Sequence, residues 1–179
     1  MKKIAVLSFG FILALGAAVA SHGQSVLASG TISGTPDANV SGEYDYTLTL
    51  SALSGSVPIN SFWFAWTPGN DYLGSVPTSI TGGNGWTGSA SGPSIQFFAG
   101  TPLTAGNSET FHFINTDTPT QMGNEVGPLH SVVYSGGLFS SPSQTIGVQA
   151  VPEPSVISLL VMGGATFGGS LIRNRRSKT

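Results

Sequence analysis

The chain contains no cysteine. No disulfide can staple its fold, and no thiolate is available as a nucleophile or metal ligand. Charge is scarce as well, at 8% of residues, and all six basic side chains sit at the ends: Lys2 and Lys3 first, then Arg173, Arg175, Arg176 and Lys178. Between Ser21 and Ala150 there is no Lys or Arg, whereas Asp37, Glu43, Asp45, Asp71, Glu109, Asp117 and Glu125 give that stretch a formal charge of −7, hidden behind a whole-chain value of −2. A body without cations lacks the contacts on which nucleic-acid affinity depends and repels phosphate backbones, so nucleic acid is excluded as a partner.

Catalytic inventory is equally thin. The only histidines are His22, His112 and His130, and the chain holds no His-x-His, no His-Glu-x-x-His and no Asp-x-Asp-x-Asp-Gly calcium loop. His112 alternates with Phe111 and Phe113 and so faces away from those rings. His130 and Ser131 are neighbours whose side chains leave a strand on opposite faces, which argues against a nucleophile and its base. Glu43 and Asp45 share a strand face in the manner of a carboxylate pair, although two acids on the wet side of an exposed strand are ordinarily just solvated. The expectation is a non-enzyme, with no catalytic residue, no cofactor and no metal site.

The two ends are rich in what the middle lacks. Met1-Lys2-Lys3 is a positive leader, Ile4 to Ala17 is apolar, and Ala18-Val19-Ala20 before Ser21 is the small-x-small pattern of a signal-peptidase site, giving a signal peptide over 1–20. An uncleaved anchor is the competing reading, and Val26-Leu27-Ala28 offers a second, weaker cut. At the other end stand Val151-Pro152-Glu153-Pro154, an uncharged apolar run of 18 residues from Ser155 to Ile172, and a basic tail over 173–179. As a helix the run spans roughly 27 Å, enough for a thin bilayer core. Basic residues outside both apolar segments keep those flanks inside and deliver the acidic body outside. Two prolines withhold two backbone donors and keep 152–154 extended, so neither the helix nor the preceding fold can absorb them. Gly164 and Gly168 form a Gly-x-x-x-Gly that could mark a helix-dimer face.

The body, residues 21–150, has the size of one domain with one core. Its short alternating runs between Gly, Pro and Asn turns indicate an all-β fold, specifically a single β-sandwich ectodomain. Strands are expected at Tyr44–Leu50, Ile59–Thr67 (a central strand), Ser94–Ala99, Thr110–Asn115, His130–Tyr134 and Thr145–Ala150, with a long flexible loop or a two-turn excursion carrying one Trp over Thr81–Gly88 and a second loop over Thr116–Pro128. Trp63, Trp66, Tyr72 and Trp86 are flat rings of the kind that stack on sugars, and Asn70-Asp71 could bond hydroxyls. Odd spacing turns Trp63 and Trp66 to opposite faces, so Trp86 in its glycine-rich loop is the best candidate for sugar stacking.

The order Pro152-Glu153-Pro154, apolar helix, Arg173-Asn174-Arg175-Arg176 resembles the C-terminal sorting signal of the PEP-CTERM proteins of Gram-negative bacteria. The resemblance covers 151–179 and is highly specific. It implies that a membrane-embedded protease-transpeptidase, exosortase, recognises Pro152, Glu153 and Pro154 and removes the helix and tail. It implies that Arg173, Arg175 and Arg176 act as cytoplasmic retention signal, and that the mature protein reaches the cell surface or an exopolysaccharide matrix. Tyr44-x-Tyr46-x-Leu48, Phe62-Trp63-Phe64-Ala65-Trp66, Gly85-Trp86 and Val133-Tyr134-Ser135-Gly136 are similar to bodies that accompany this signal, from which no activity transfers. The expected function is thus an exported, non-enzymatic exosortase substrate at the cell surface, with a carbohydrate-binding surface module as the alternative.

Overall fold

A computed structural model describes residues 24–152. The expected signal peptide with its Ala18, Ala20 and Ser21, the Glu153-Pro154 half of the sorting motif, the apolar run 155–172 and the basic tail with Arg173, Arg175 and Arg176 lie outside the described residues. Within them, no helix is long and apolar enough to cross a membrane.

The chain forms β1 (Ala28–Pro36), β2 (Tyr44–Ala52), β3 (Ile59–Phe64), β4 (Trp66–Thr67), β5 (Asn70–Asp71) and β6 (Thr78–Gly82). It continues through β7 (Thr87–Ala90), β8 (Ile95–Leu103), β9 (Ser108–Asn115), one helix α1 (Pro119–Val126), β10 (Ser131–Tyr134), β11 (Ser143–Ile146) and β12 (Val148–Ala150). The described residues are therefore mostly β, with one short helix where a loop is expected. One sheet has the order β12-β1-β2-β9-β6 and the other β11-β10-β3-β8-β7, with β4 and β5 forming a small ribbon. The two large sheets enclose one core, the arrangement of a sandwich.

Alternation explains the core. In β2, Tyr46, Leu48, Leu50 and Ala52 are buried while Asp45 is exposed, and in β9, Phe111 and Phe113 are buried on either side of an exposed His112. Register pairs Tyr46 with Phe113 and Leu48 with Phe111. From the opposite sheet Phe97 reaches Phe111 at 4.2 Å between ring centroids, and Phe64 reaches Phe113 at 5.5 Å. Each such fully buried ring stabilises the fold by on the order of 2 kcal/mol through the apolar surface it removes from water. β3 lies in the middle of its sheet, as a strand apolar on both faces should.

Four expectations need correction. β1 was not anticipated, because its inward positions include Gly30 and Gly34, which leave no apolar alternation to read. A side chain at Gly34 would collide with the ring of Tyr46, which fills the space instead. The strand expected to run to Thr67 stops at Phe64, since Ala65 takes a left-handed φ of 54° and gives its N–H to buried Ser131 Oγ at 3.1 Å. The run Thr145–Ala150 is not one strand: Ile146 ends β11 in one sheet and Val148 begins β12 in the other. Gly147 makes the crossing, pressed so closely on the Gly127 carbonyl that a Cβ has no room. Finally, Thr81–Gly88 is no long loop but the end of β6, a tight turn and the start of β7, passing from sheet to sheet.

Phe111→Ala should lower the unfolding free energy by about 3–5 kcal/mol, whereas His112→Ala, one residue along and outside the core, should change it by less than about 0.5 kcal/mol. Urea unfolding of both variants checks this; comparable losses would mean that β9 does not present alternate faces to core and water.

Candidate functional site

Helix α1 is short, and its end is fastened by local chemistry. Thr118 is the N-cap and Pro119 follows at the first helical position. Gln121 N–H donates to Thr118 Oγ1 at 3.3 Å and Thr118 N–H donates to Gln121 Oε1 at 2.8 Å, a reciprocal capping box. Met122 and Val126, one turn apart, are wholly buried and join the main core.

Beneath this helix lies a polar cluster that contains no cation. Asp117, 7% exposed, sits just before the N-cap. Its Oδ2 accepts the Gly74 N–H at 3.0 Å, its own N–H donates to Asn115 Oδ1 at 2.7 Å, and its carbonyl accepts the Tyr46 hydroxyl at 2.5 Å. Burial, with the Asp117 charge adding to it, pushes the Tyr46 hydroxyl well above its ordinary pKa. Glu125 lies on the last turn of α1. Burial first, then the charge of Asp117 and a hydrogen bond to its carboxyl, raise Glu125 from 4.5 to about 7. Its Oε2 is buried and finds no donor. The Glu125 carbonyl accepts His130 Nδ1–H at 2.6 Å, and the His130 ring stacks on Tyr72 at 3.6 Å.

The same helix borders the chain's exit. β12 is an edge strand, paired parallel with β1 through Gly30–Val148, Thr31–Gln149 and Ile32–Ala150. Val151 N–H extends the ladder to the Ile32 carbonyl at 2.8 Å. Pro152, the described residue of the expected sorting motif, has no N–H with which to continue it. Gly123 of α1 faces Ala150 so closely that a Cβ on it would lie 2.9 Å from that of Ala150. A groove of about 480 Å³ opens here between Gly34, Thr120, Asn124, Gln149 and Pro152.

The aromatic candidates are placed differently from expectation. Trp86 is 3% exposed, packed edge-on against Phe111 at 5.4 Å, so the proposed sugar-stacking ring is part of the core. The glycines around it form a turn that folds the indole inward, with Trp86 N–H on the Gly83 carbonyl at 2.8 Å. Trp63 and Trp66 do not face opposite ways: the left-handed Ala65 between them turns Trp66 back, and the rings stack at 3.6 Å and 2°. Trp63 donates its indole N–H to Ser94 Oγ at 3.0 Å, and Phe139, 70% exposed, stands edge-on to both rings at 5.6 Å. Asn70 and Asp71 form exposed β5, and His112 is exposed with Nδ1 3.3 Å from Thr47 Oγ1. Asp45 is exposed on β2 and Glu43 precedes the strand.

A second buried acid, Glu109, was not singled out from the sequence. It is 4% exposed and lines a cleft of about 380 Å³ with Asn84, Thr101, Thr104 and Asn107. Its oxygens accept the Asn84 amide at 2.8 Å and the Thr110 N–H at 3.1 Å, tying β9 to the β6–β7 turn. Among the described residues no three His, Asp or Glu side chains converge as metal ligands would. The Asp117–Glu125 pair was likewise missed. Its one legible trace is Thr118-Pro119-x-Gln121, a capping box that marks a helix where a loop was expected.

No protein-family model matches the chain, and comparison with curated proteins and with solved structures returns no match.

The stacked indoles predict an exciton-coupled band in the circular dichroism spectrum. Trp66→Phe should abolish it and cost about 1 kcal/mol, while Trp86→Phe should leave it intact. A band that survives Trp66→Phe would show that the pair is not its source.

Proposed function

We propose that this chain is an exported PEP-CTERM-type protein, sorted by an exosortase-like enzyme, whose β-sandwich ectodomain serves as a non-enzymatic component of the cell surface or of an exopolysaccharide matrix. The observation that carries this reading is the three-part order over 151–179: a Pro-Glu-Pro, 18 uncharged apolar residues, and a basic end. In this reading the signal peptide directs export, the apolar run is a membrane anchor held during processing, and the ectodomain over 21–150 is what remains.

Two features of the fold support it. The β-ladder reaches Val151 and meets a proline at 152, so the proposed recognition motif begins where the body ends. At the other end Val26 and Ala28 are core residues, Leu27 N–H donates to Ser56 Oγ at 3.0 Å and Ala28 N–H donates to Gln144 Oε1 at 2.7 Å. A cut after Ala28 would remove all of these, which favours the cut after Ala20. The carbohydrate-binding alternative has lost its ring: each of the three tryptophans is less than one-tenth exposed.

The intact mass of the protein recovered from the surface and medium of its native host should correspond to a chain running from near Ser21 to within a few residues of Pro154, with any excess identifying an attached group. Retention of residues 155–179 would make the segment a permanent anchor and overturn the sorting assignment.

A further inference from the structure

The cleft around Glu109 is bordered by two backbone turns, and both are fixed. Between β6 and β7 the chain turns through Asn84 and Gly85, each at positive φ (47° and 79°), with Trp86 N–H donating to the Gly83 carbonyl at 2.8 Å. Gly100 N–H donates to the Gly85 carbonyl at 3.1 Å and so holds this turn to β8. Between β8 and β9, Asn107 N–H donates to the Thr104 carbonyl at 3.1 Å, and Gly106 N–H donates to the Ala52 carbonyl at 2.8 Å, which ties that turn to the end of β2. Walls anchored in this way make a pocket that exists before any ligand arrives.

The lining divides into a floor and a rim. Glu109, Leu103 and Trp86 are each at most 5% exposed, whereas Asn84, Thr104 and Asn107 are open to solvent. Glu109 Oε1 accepts the Thr110 N–H and Oε2 accepts the Asn84 amide, which leaves about two acceptor sites of the carboxylate unfilled. The Asn84 amide is spent on Glu109 and the Asn107 amide donates to Thr104 Oγ1 at 2.8 Å, while the two carboxamide oxygens take no hydrogen bond from the described residues. The cleft therefore presents acceptors around a small apolar floor.

That surface selects its ligand by charge and by hydrogen-bonding type. An anion would meet a carboxylate within a body of −7 that has no Lys or Arg. A wholly apolar ligand would strand the carboxylate and both carboxamides. A metal ion would find one carboxylate, since no three His, Asp or Glu converge among the described residues. A ring that carries several hydroxyl groups on an apolar skeleton fits: its hydroxyls donate to Glu109, Asn84 Oδ1 and Asn107 Oδ1, and its skeleton rests against Leu103 and Trp86. The volume of about 380 Å³ lies near the low end of the roughly 300–1,000 Å³ range of small-ligand sites, room for one ring rather than a chain. We propose that this cleft binds a single uncharged or amino sugar residue and rejects sugar acids, with Glu109 as the selecting group. The site needs no stacked indole, so the burial of Trp86 does not weaken it. It deepens the reading of the ectodomain as a matrix component and does not depend on how residues 151–179 are processed.

NMR titration of the isotope-labelled full-length chain, in a detergent without a sugar headgroup, tests it with methyl glucoside, methyl galactoside, methyl mannoside, glucosamine and glucuronate. At least one of the first four should shift the side-chain amide signals of Asn84 and Asn107 with a Kd on the order of 1 mM, and glucuronate should bind at least about ten-fold more weakly. Asn107→Ala should weaken binding by roughly three- to ten-fold with an unchanged melting temperature. Glu109→Gln should bring glucuronate to parity with the other sugars, and His112→Ala, on the outer face of β9, should bind as wild type does. Shifts from none of the four sugars, shifts confined to other residues, glucuronate binding to wild type as well as the others, or a response to calcium chloride in place of any sugar would each overturn the assignment. Should Glu109→Gln fail to fold, Asn107→Ala and the glucuronate comparison in wild type still decide. Sugar binding by a chain whose host product retains residues 155–179 would sink the sorting assignment and leave the cleft standing.

Discussion

Every carboxylate in the body must be accommodated without a Lys or Arg. This single constraint organises the polar interior. Asp37 accepts the N–H groups of Asn39 and Val40 at 2.5 and 2.7 Å, closing the turn between β1 and β2. Glu109 uses a neighbouring carboxamide and a backbone N–H to pin the turn between β6 and β7, and Asp117 uses the Gly74 N–H to hold the segment that enters α1. Each acid is thus a local staple rather than half of an ion pair, drawing its donors from the backbone and amide side chains. Glu125 is where the supply of donors falls short: its Oε2 is buried without one, and burial raises its pKa to about 7.

The sequence reveals the parts of this fold whose side chains alternate in size. β2 and β9 are legible because Tyr46, Leu48 and Leu50, and Phe111 and Phe113, carry large apolar groups on one face and small or polar ones on the other. β1 is not, because Gly30 and Gly34 leave their volume to Val148 and Tyr46 on the neighbouring strands, so half the pattern is written elsewhere in the chain. Breaks are harder still. Ala65 and Gly147 each redirect the chain by a backbone choice that composition does not announce, and alanine in a left-handed conformation runs against its own preference by roughly 1–2 kcal/mol. The stacked indoles and the buried Ser131 hydroxyl that takes the Ala65 N–H are what offset that cost.

The site is legible to a different degree at each of its parts. Pro152 stands out as a residue that halts a ladder wherever it falls. Trp86 misleads, because a glycine-rich surround suggests exposure, whereas here the glycines make a turn tight enough to fold the ring into the core. Asp117 and Glu125 are eight residues apart, a separation that puts them together only because Thr118 starts a helix of just the right length between them. Their meeting depends on tertiary docking of that helix through Met122 and Val126, which no local pattern specifies.

Strand direction joins these observations. β12 is parallel to β1 and, by the register of β1, β2 and β9, also runs the same way as β9. The chain therefore leaves through Pro152 heading toward the end of the sandwich where β9 finishes and α1 begins, with the Thr104, Asn107 and Glu109 cleft behind it. Asp117 and Glu125 thus flank the end of the sandwich from which the chain leaves, and the polar cleft lies at the opposite end. The absence of cations that leaves Glu125 Oε2 without a donor therefore falls at the same end of the sandwich as the residues leading to Pro152.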